Sequence, residues 1–439
     1  MTAPEALTAD ELQDVWPILS RDERAEGFQL LPPDDDADDF FLSLSTRDQA
    51  ELLMELRPGA RRRWVRLLPP DDAADLVQEL DPEDRTAVAE LLDPVTRREV
   101  SALLAYEEDE AGGLMSPRFA RLRPEQTVDE AIAYLRRQAR RRLEAIYYVY
   151  VLDAEQRLRG VVSFRELFAA PGDALISDIM ETELVTVPEH MDQESVSLLL
   201  TENDLLAVPV VDAQWRLMGI VTLDDIVDVV QEEATEDIQK AGAVEALDAP
   251  YFDVSVPEMV RKRGVWLVVL FVSEMLTTSA MAYYEDEVAR AVVLATFVPL
   301  MISSGGNPGG QASTLVIRAM ALGEVRLRDW WRVVRREFTT GLALGLILAV
   351  IGFARIVTWE KVFHAYGPHY LGVAFTVAAS LVGIVLWGTI AGSTLPLLLR
   401  RLGLDPANSS APFVATLVDV TGLVLYFTIA KWVLGGTLL

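Results

Sequence analysis

One acidic residue, Asp419, lies eight residues into the last apolar stretch of the chain, residues 411–434. A charged side chain inside a membrane span is costly and by default indicates a functional role. No basic residue on the same predicted helix lies within one or two turns of this carboxylate. Asp419 must therefore face a water-filled cavity, pair with another helix or stay protonated.

A glycine-rich segment, SSGGNPGGQAST at 303–314, interrupts an earlier apolar stretch. Four glycines and Pro308 within six residues disfavour an ordinary helix in contact with lipid. Irregular backbone at membrane depth persists only where it is buried in protein or lines a cavity. We therefore predict a broken helix whose carbonyl groups, with the amides of Asn307 and Gln311, offer the oxygen ligands that hard cations prefer. The alternative is a kinked helix that packs closely.

Five stretches are long and apolar enough for membrane helices, which need about 20 residues each. They are residues 264–283, 288–322, 338–357, 371–399 and 411–434. Eleven Lys and Arg residues flank these stretches on one side and four on the other. Because basic residues concentrate on the cytoplasmic side, we expect a multi-pass protein of the cell membrane with a cytoplasmic N-terminus and an external C-terminus.

Charge divides the chain of 439 residues into two halves. Residues 1–250 contain 55 Asp and Glu against 24 Lys and Arg, a net charge of −31, whereas residues 251–439 contain 12 against 15, a net charge of +3. With no Cys and a total of −28, this excludes a single soluble domain, a disulfide-stabilised secreted protein and a basic nucleic-acid binder. No catalytic motif is present, which argues against an enzyme.

The acidic half contains two modules. Residues 1–115 are predicted to form a stack of short helices, because LLPPDDDADDFFLSL at 30–44 is echoed by LLPPDDAADLVQEL at 67–80. Residues 116–230 alternate strands and helices in two copies, in which VLDAEQRLRGVVSFREL is repeated as VVDAQWRLMGIVTLDDI. The duplicated module resembles a tandem pair of cystathionine-β-synthase (CBS) domains, which commonly bind adenine nucleotides.

A candidate nucleotide site follows from that resemblance. Thr222 and Asp225 match the T-x-x-D motif that holds a nucleotide ribose in CBS domains, and ATP is the expected ligand. In the first copy, Ser163 and Glu166 depart from the motif. The alternative is that Thr222 caps the helix that follows it.

Together these features resemble the MgtE family of magnesium channels along nearly the whole chain. The most specific segments are YEEDEAGGLM at 106–115, EEATEDIQKAGAV at 232–244, GGNPGGQ at 305–311 and PFVATLVDVTGL at 412–423. The resemblance implies a multi-domain homodimer in membrane lipid. Its parts are an all-α superhelical N-terminal domain (1–115), an α/β tandem CBS pair (116–230), a connecting plug helix (231–262) and a transmembrane domain of five helices (263–439).

The resemblance also implies the residues of the pore. By position, the family's pore carboxylate falls on Asp419, which would bind hydrated Mg²⁺ near the dimer axis. Asn307, Gly305 and Gly306 match the family's motif in the glycine-rich segment. Because Mg²⁺ loses its waters reluctantly, selection would work through retained waters that carboxylate and backbone oxygens contact. The role of Glu274 stays open.

A Mg²⁺ sensor in the acidic half is a further implication of the resemblance. Its carboxylates would repel one another when Mg²⁺ is scarce, and Mg²⁺ would bridge them and close the gate when it is plentiful. The candidate sensor residues are Asp71, Asp72, Asp224, Asp225, Asp228, Glu232, Glu233, Glu236, Asp237, Glu245 and Asp248.

Two other functions remain in competition with a Mg²⁺ channel. An ion-coupled divalent-cation carrier would use the same membrane residues. Alternatively, the protein is a Mg²⁺- or nucleotide-sensing scaffold whose membrane half only attaches it to the bilayer. Loss of Mg²⁺ flux on replacing Asp419 separates the transporters from the scaffold.

Overall fold

The computed structural model describes residues 7–32, 35–138, 147–247, 249, 251–252, 254–436 and 438. It contains two compact units, Met1–Val230 and Gln231–Leu439. In the first unit, a helical region precedes two small α/β modules. The long elements of the second unit are all helices.

The helical region of the first unit is built from short helices. They are α1 (Ala9–Val15), α2 (Arg21–Leu30), α3 (Asp35–Ser43), α4 (Thr46–Glu55), α5 (Pro58–Val65), α6 (Pro70–Glu79), α7 (Pro82–Ala89), α8 (Pro94–Leu103) and α9 (Ala111–Leu114). Proline opens each helix from α5 to α8, because its fixed φ suits the first turn and its missing N–H is not needed there. The echoed segments of the sequence form α3 and α6, and their apolar faces bury Phe41 and Leu76 in one core.

The two CBS-like modules share one architecture, as their duplicated sequence predicts. The first contains β1 (Arg121–Leu122), α10 (Val128–Gln138), β2 (Tyr148–Leu152), β3 (Leu158–Ser163), α11 (Phe164–Ala169) and α12 (Ile176–Ile179). The second contains β4 (Val187–Pro188), α13 (Gln193–Glu202), β5 (Ala207–Val211), β6 (Leu217–Thr222) and α14 (Leu223–Ala241). In each sheet the central strand pairs parallel with the first strand and antiparallel with the third. The backbones of Arg157 and Arg216 pair in an isolated antiparallel β-bridge, which links the hairpin turns of the two modules.

The prediction of one plug helix over residues 231–262 is wrong, because this range contains parts of two helices. Its first part is the end of α14, which continues from the CBS module without a break and stops at Ala241. Gly242 follows, where the missing side chain weakens a helix. Lys262 belongs instead to the next helix, Val256–Tyr283.

The second unit continues with long helices. They are α15 (Val256–Tyr283), the short α16 (Glu285–Arg290) and α17 (Val292–Ala295), then α18 (Val298–Ala321), α19 (Trp330–Phe363), α20 (Tyr370–Arg401) and α21 (Ala411–Leu434). Within the described residues, four segments are long and apolar enough to cross a membrane: Val256–Tyr283, Leu327–Phe363, Tyr370–Arg401 and Ala411–Leu434. The remaining predicted span, residues 288–322, contains α18, whose glycines and polar residues lower its hydropathy.

The predicted break at 303–314 is also wrong, because α18 is a continuous helix through this segment with Pro308 inside it. The interruption lies earlier, where α16 and α17 precede α18. Close packing explains the difference. A Cβ atom on Gly388 of α20 would collide with the carbonyl oxygen of Gly305, and one on Gly392 with that of Gly309. Glycine on both helices lets the backbones touch, and this contact outweighs the poor helix propensity of the segment.

Candidate functional site

The Asp419 carboxylate of α21 lies against α18. Its Oδ1 atom is 3.6 Å from the position that a Cβ atom on Gly306 would occupy, so the carboxylate borders this glycine at van der Waals distance. The side chain is half-buried in the single chain. The carboxylate of Glu274, on α15, is close enough for the two charges to repel. An intramembrane carboxylate with another acid beside it requires water or a cation to be stable.

A row of polar side chains follows one exposed face of α18. The row consists of Ser303, Asn307, Gln311 and Thr314. Within it, Asn307 Nδ2 donates to Ser303 Oγ at 3.3 Å. The opposite face carries the buried glycines that pack on α20 and α21. A polar face in a membrane domain is not stable against lipid, so this face requires water or another protein surface.

The four predicted pore residues therefore separate into distinct environments. Gly306 meets Asp419, and Asn307 belongs to the polar face of α18. Gly305 is buried against Ile384 and Val418, so it serves the packing of α18. Nowhere in the described ranges do three or more Asp, Glu or His side chains converge to hold a metal ion. Direct coordination of a bare ion is thus not provided by one chain, whereas a hydrated Mg²⁺ needs few direct ligands.

An acidic cluster forms where α6 meets the start of α14. Burial, and then the charges of Asp224 and Asp228, raise the pKa of Asp72. Burial also raises the pKa of Asp225 to about 7, with Asp224 and Asp72 adding to the effect. Each charged neighbour that shifts these two groups is another carboxylate. We call these four residues the α6–α14 cluster, and its assembly costs Coulomb energy that a divalent cation would offset.

Thr222 and Asp225, the predicted nucleotide pair, bond to each other. The Thr222 hydroxyl donates to Asp225 Oδ2 at 2.5 Å, and its backbone N–H donates to the same oxygen at 3.2 Å. In the first CBS module, Ser163 and Glu166 form the same bonds at the start of α11. Both pairs therefore stabilise a helix N-terminus, which agrees with the capping alternative.

A second acidic cluster lies in the Gln231–Leu439 unit and contains a base. Lys240 Nζ binds Glu236 Oε1 at 2.5 Å and Asp405 Oδ2 at 2.6 Å, which joins α14 to the connection between α20 and α21. Burial opposes the charge of Lys240, but the hydrogen bonds that Lys240 donates to Asp405 and Glu236 prevail and raise its pKa. Burial and then Asp405 raise the pKa of Asp237, while Lys240 acts in the opposite direction. We call these four residues the Lys240 cluster.

The other predicted sensor residues are spread between these places. Asp71 is buried on α6, next to Asp72 in the chain. Glu232 and Glu233 lie on α14 between the two clusters. The backbone N–H of Glu245 donates to the carbonyl of Lys262 at 3.2 Å, and Asp248 lies outside the described residues.

Sequence reasoning missed Lys240 and Asp405. A signal was present for both, because Lys240 is the only base between Arg216 and Arg261, and Asp405 is the only acid between Glu360 and Asp419. An isolated charge of either sign in such a region calls for a partner. The two residues are 165 positions apart, so only the fold pairs them.

The YEEDEAGGLM segment joins the helical region to the second CBS module. The Tyr106 hydroxyl donates to Glu189 Oε2 at 2.8 Å, and the N–H of Gly112 donates to the carbonyl of Glu189 at 2.8 Å. A Cβ atom on Gly112 would collide with the Tyr106 ring, which explains the glycine. His190 pairs with Glu110 at 3.0 Å, and this hydrogen bond and charge raise the pKa of His190.

Comparison with known proteins agrees with this domain order. The family model of the MgtE divalent cation transporter matches residues 298–429, that of the MgtE intracellular N domain matches residues 7–109, and that of the CBS domain matches residues 111–173 and 176–232. The solved cytosolic domain of the Mg²⁺ channel MgtE in complex with ATP is 41% identical, with a TM-score of 0.47 over 51% of this chain and 91% of that chain.

Curated relatives cover most of the chain. The magnesium transporter MgtE of Thermus thermophilus is 44% identical over 76% of this chain and 72% of the relative. The magnesium transporter MgtE of Enterococcus faecalis is 35% identical over 75% and 70%, respectively. With the fold and these matches together, the chain belongs to the MgtE family of multi-pass membrane proteins, whose members are magnesium transporters and not enzymes.

Proposed function

We propose that this protein is a Mg²⁺-selective channel that admits magnesium to the cell as a homodimer. Cytosolic Mg²⁺ closes it by bridging acidic cytosolic domains, and ATP at the CBS pair modulates it. The observation that carries the proposal is the Asp419 carboxylate, which lies against Gly306 of α18, next in the chain to Asn307 of the polar face, in a membrane domain. The domain division at residues 115 and 230, and the orientation with an external C-terminus, belong to the same proposal.

The pore argument rests on what stabilises Asp419. The only charged neighbour that acts on it among the described residues is Glu274, which is also acidic. A hydrated Mg²⁺ beside Asp419 would neutralise this charge and hydrogen-bond to the carboxylate through its waters. The amides of Asn307 and Gln311 on the neighbouring α18 offer further oxygens to those waters. Gly306 borders the carboxylate, because a Cβ atom there would lie 3.6 Å from Asp419 Oδ1.

The exposed surfaces of one membrane domain support the proposed homodimer. The polar face of α18 requires a partner other than lipid, and a second copy would bring a second polar face and a second Asp419 to it. The α15 helix contacts mainly α21 and leaves most of its apolar surface exposed, which lipid or the second copy covers. Five membrane helices per chain, with α18 protected from lipid, complete this arrangement.

The sensor argument rests on the α6–α14 cluster. Its carboxylates come from the helical region and from the CBS pair, so their repulsion favours separation of the two parts. Mg²⁺ bound between them reverses this preference, and the free-energy difference shifts the protein toward the compact, closed state. The carboxylates of α14 from Glu232 to Asp237 extend the same surface.

ATP modulation rests on Thr222 and Asp225. Their hydroxyl and carboxylate lie at the C-terminal end of β6, and the ribose of a nucleotide would exchange their mutual hydrogen bond for bonds to its own hydroxyls. Asp225 also belongs to the α6–α14 cluster. A nucleotide bound at this residue would therefore change the negative charge that the cluster offers to Mg²⁺.

Mg²⁺ flux into vesicles tests the pore. We expect Asp419→Asn to reduce uptake by at least about tenfold, because the amide keeps the shape and removes the charge that stabilises the ion. Asp286→Asn, on the exposed α16, is the matched control and should transport as the wild type does. If Asp419→Asn transports normally, the pore assignment fails and the scaffold alternative gains.

Single-channel recording separates the two transport mechanisms. A channel passes ions at rates near the diffusional range, whereas an ion-coupled carrier undergoes a conformational cycle for each ion or few ions. Currents without any dependence on a coupling ion support the channel. Uptake that stops when the gradient of a second ion is removed would instead assign the carrier.

A further inference from the structure

An arginine-rich segment opens α19 and is not used by the proposed function. Residues 326–336, RLRDWWRVVRR, contain five arginines and one aspartate. The segment directly precedes the apolar part of a span, Leu327–Phe363, that is long and apolar enough to cross the membrane. Basic clusters at such a position meet the phospholipid headgroups.

Two of these arginines continue the lipid-facing side of α19. Arg332 and Arg336 are exposed and one helical turn apart. Ile347 and Ile351, further along the same face, are 56% and 60% exposed apolar side chains. Because lipid tails cover such an apolar face, the two arginines lie where the same face passes the headgroups. We call Arg332 and Arg336 the α19 arginine pair.

The protein itself leaves this positive charge largely uncompensated. Arg332 approaches Asp329 at 3.2 Å, but its side chain is 86% exposed, so the contact is open to solvent. Within the described part of the chain, Arg336 forms no ion pair, and the carboxylate on which its charge acts is that of the next residue, Glu337. A surface salt bridge contributes little, so Asp329 does not satisfy the pair.

Two tryptophans indicate the depth of the segment in the bilayer. Trp330 and Trp331 are 53% and 62% exposed and precede Arg332 in the first turn of the helix. Tryptophan is enriched at the boundary between headgroups and hydrocarbon, because its ring is apolar and its N–H is polar. Guanidinium groups at that boundary reach phosphate oxygens and bind them through two N–H groups.

We propose that the α19 arginine pair binds the headgroup phosphate of an anionic phospholipid, with Trp330 and Trp331 against its glycerol and upper acyl region. The ligand class is a phosphodiester with net negative charge, such as phosphatidylglycerol. Charge complementarity and continuity with the lipid-facing side of α19 identify the lipid as the occupant. The bound lipid fixes the N-terminal end of α19 at the membrane surface.

Native mass spectrometry of the full chain in detergent, titrated with phosphatidylglycerol or phosphatidylcholine of equal chain length, tests the proposal. Wild type should retain phosphatidylglycerol in preference to phosphatidylcholine. Arg332→Gln with Arg336→Gln should weaken phosphatidylglycerol binding about thirtyfold, since each surface arginine contributes about a fivefold effect at low salt. The matched control, Arg136→Gln with Arg137→Gln in the exposed last turn of α10, should bind as the wild type does.

The outcomes are distinguishable. Equal binding of the two lipids by the wild type, or no change in the α19 double variant, overturns the proposal. Equal weakening in the α10 control assigns the effect to total charge and also overturns it. Displacement of the lipid by millimolar inorganic phosphate would assign a free-phosphate site instead. Arg332→Lys with Arg336→Lys keeps the charge, so partial retention of lipid by this variant excludes misfolding as the cause of the loss.

Discussion

Two acidic clusters lie along α14 and differ in one respect, the presence of a base. The α6–α14 cluster contains Asp72, Asp224, Asp225 and Asp228, and burial together with the neighbouring carboxylates raises the pKa of Asp72 and of Asp225. The Lys240 cluster contains Glu236, Asp237 and Asp405, and the Lys240 ammonium binds two of these acids. The charged groups that act on Asp72 and Asp225 in the first cluster are carboxylates, whereas the second cluster contains a lysine that offsets its acids.

The presence or absence of a base determines how strongly the acids of a cluster would respond to a metal ion. A carboxylate that already binds an ammonium group loses that interaction when a metal ion replaces it, so its response to Mg²⁺ is weakened. Carboxylates that only repel one another gain the full Coulomb interaction when the ion arrives. We therefore propose that the α6–α14 cluster senses Mg²⁺ and that the Lys240 cluster holds α14 to the connection between α20 and α21 at any Mg²⁺ concentration. Asp419, with Glu274 as its charged neighbour, resembles the first cluster.

Reversal of the charge at Lys240 should have the largest effect. Lys240→Glu replaces two attractive contacts by repulsion among four acids, at a cost of about 2 kcal/mol for a half-buried network. We expect amide exchange in residues 402–410 to become at least about tenfold faster and to depend on Mg²⁺, because the cluster would then lose the ammonium group that binds two of its acids. Hydrogen-exchange mass spectrometry with and without Mg²⁺ measures both effects.

Two further variants control this experiment. Lys361→Glu reverses an exposed charge at the end of α19 and should leave exchange in residues 402–410 unchanged. Lys240→Asp combined with Asp405→Lys exchanges the charges and should restore part of the protection. Unchanged exchange in Lys240→Glu would show that the Lys240 cluster does not attach α14.

Neutralisation of the α6–α14 cluster should have the next largest effect. Asp72→Asn removes a half-buried charge that only other carboxylates surround, so the first unit should melt about 3 °C higher without Mg²⁺. The further increase that Mg²⁺ causes in the wild type should shrink in the variant. Asp173→Asn, an exposed residue in a loop, is the matched control. An unaltered response of Asp72→Asn to Mg²⁺ would contradict the assignment.

The pH dependence of the same cluster should be smaller. Because the folded state raises the pKa of Asp225 to about 7, its contribution to stability is fully present below the ordinary aspartate pKa and is lost as the pH rises toward 7. Without Mg²⁺, the melting temperature of the wild type should therefore fall relative to Asp225→Asn between about pH 4 and pH 7. Saturating Mg²⁺ should remove this difference. A constant difference across that range without Mg²⁺ would show that Asp225 is not strained by its neighbours.

Elements that depend on local pattern could be predicted from the sequence. The last span was predicted as residues 411–434, and α21 has those bounds. The two CBS hairpins fall within a few residues of their predicted strands, because strand and turn residues are repeated in both copies. The helical region follows its Pro and Asp signals in the same way.

Features that depend on tertiary contact could not be predicted. The glycine-rich segment is helical because two glycines of α20, Gly388 and Gly392, lie against it and let the two backbones pack closely. The sequence of α18 alone favours a break. Lys240 finds Asp405 across 165 residues, and the place where Asp72 meets Asp224 is likewise set by the fold. Local sequence propensity therefore predicts the helices and strands. Which charged side chains meet in each cluster depends on how these elements pack.

Uptake of Mg²⁺ into vesicles with a controlled lumenal Mg²⁺ concentration tests the central claim most directly. The measurement uses protein whose acidic half faces the lumen and compares the wild type with the Asp72→Asn and Asp228→Asn double variant. We predict that high lumenal Mg²⁺ suppresses uptake by the wild type and that uptake by the double variant no longer changes with lumenal Mg²⁺. A double variant that lumenal Mg²⁺ suppresses as strongly as it does the wild type would contradict the account.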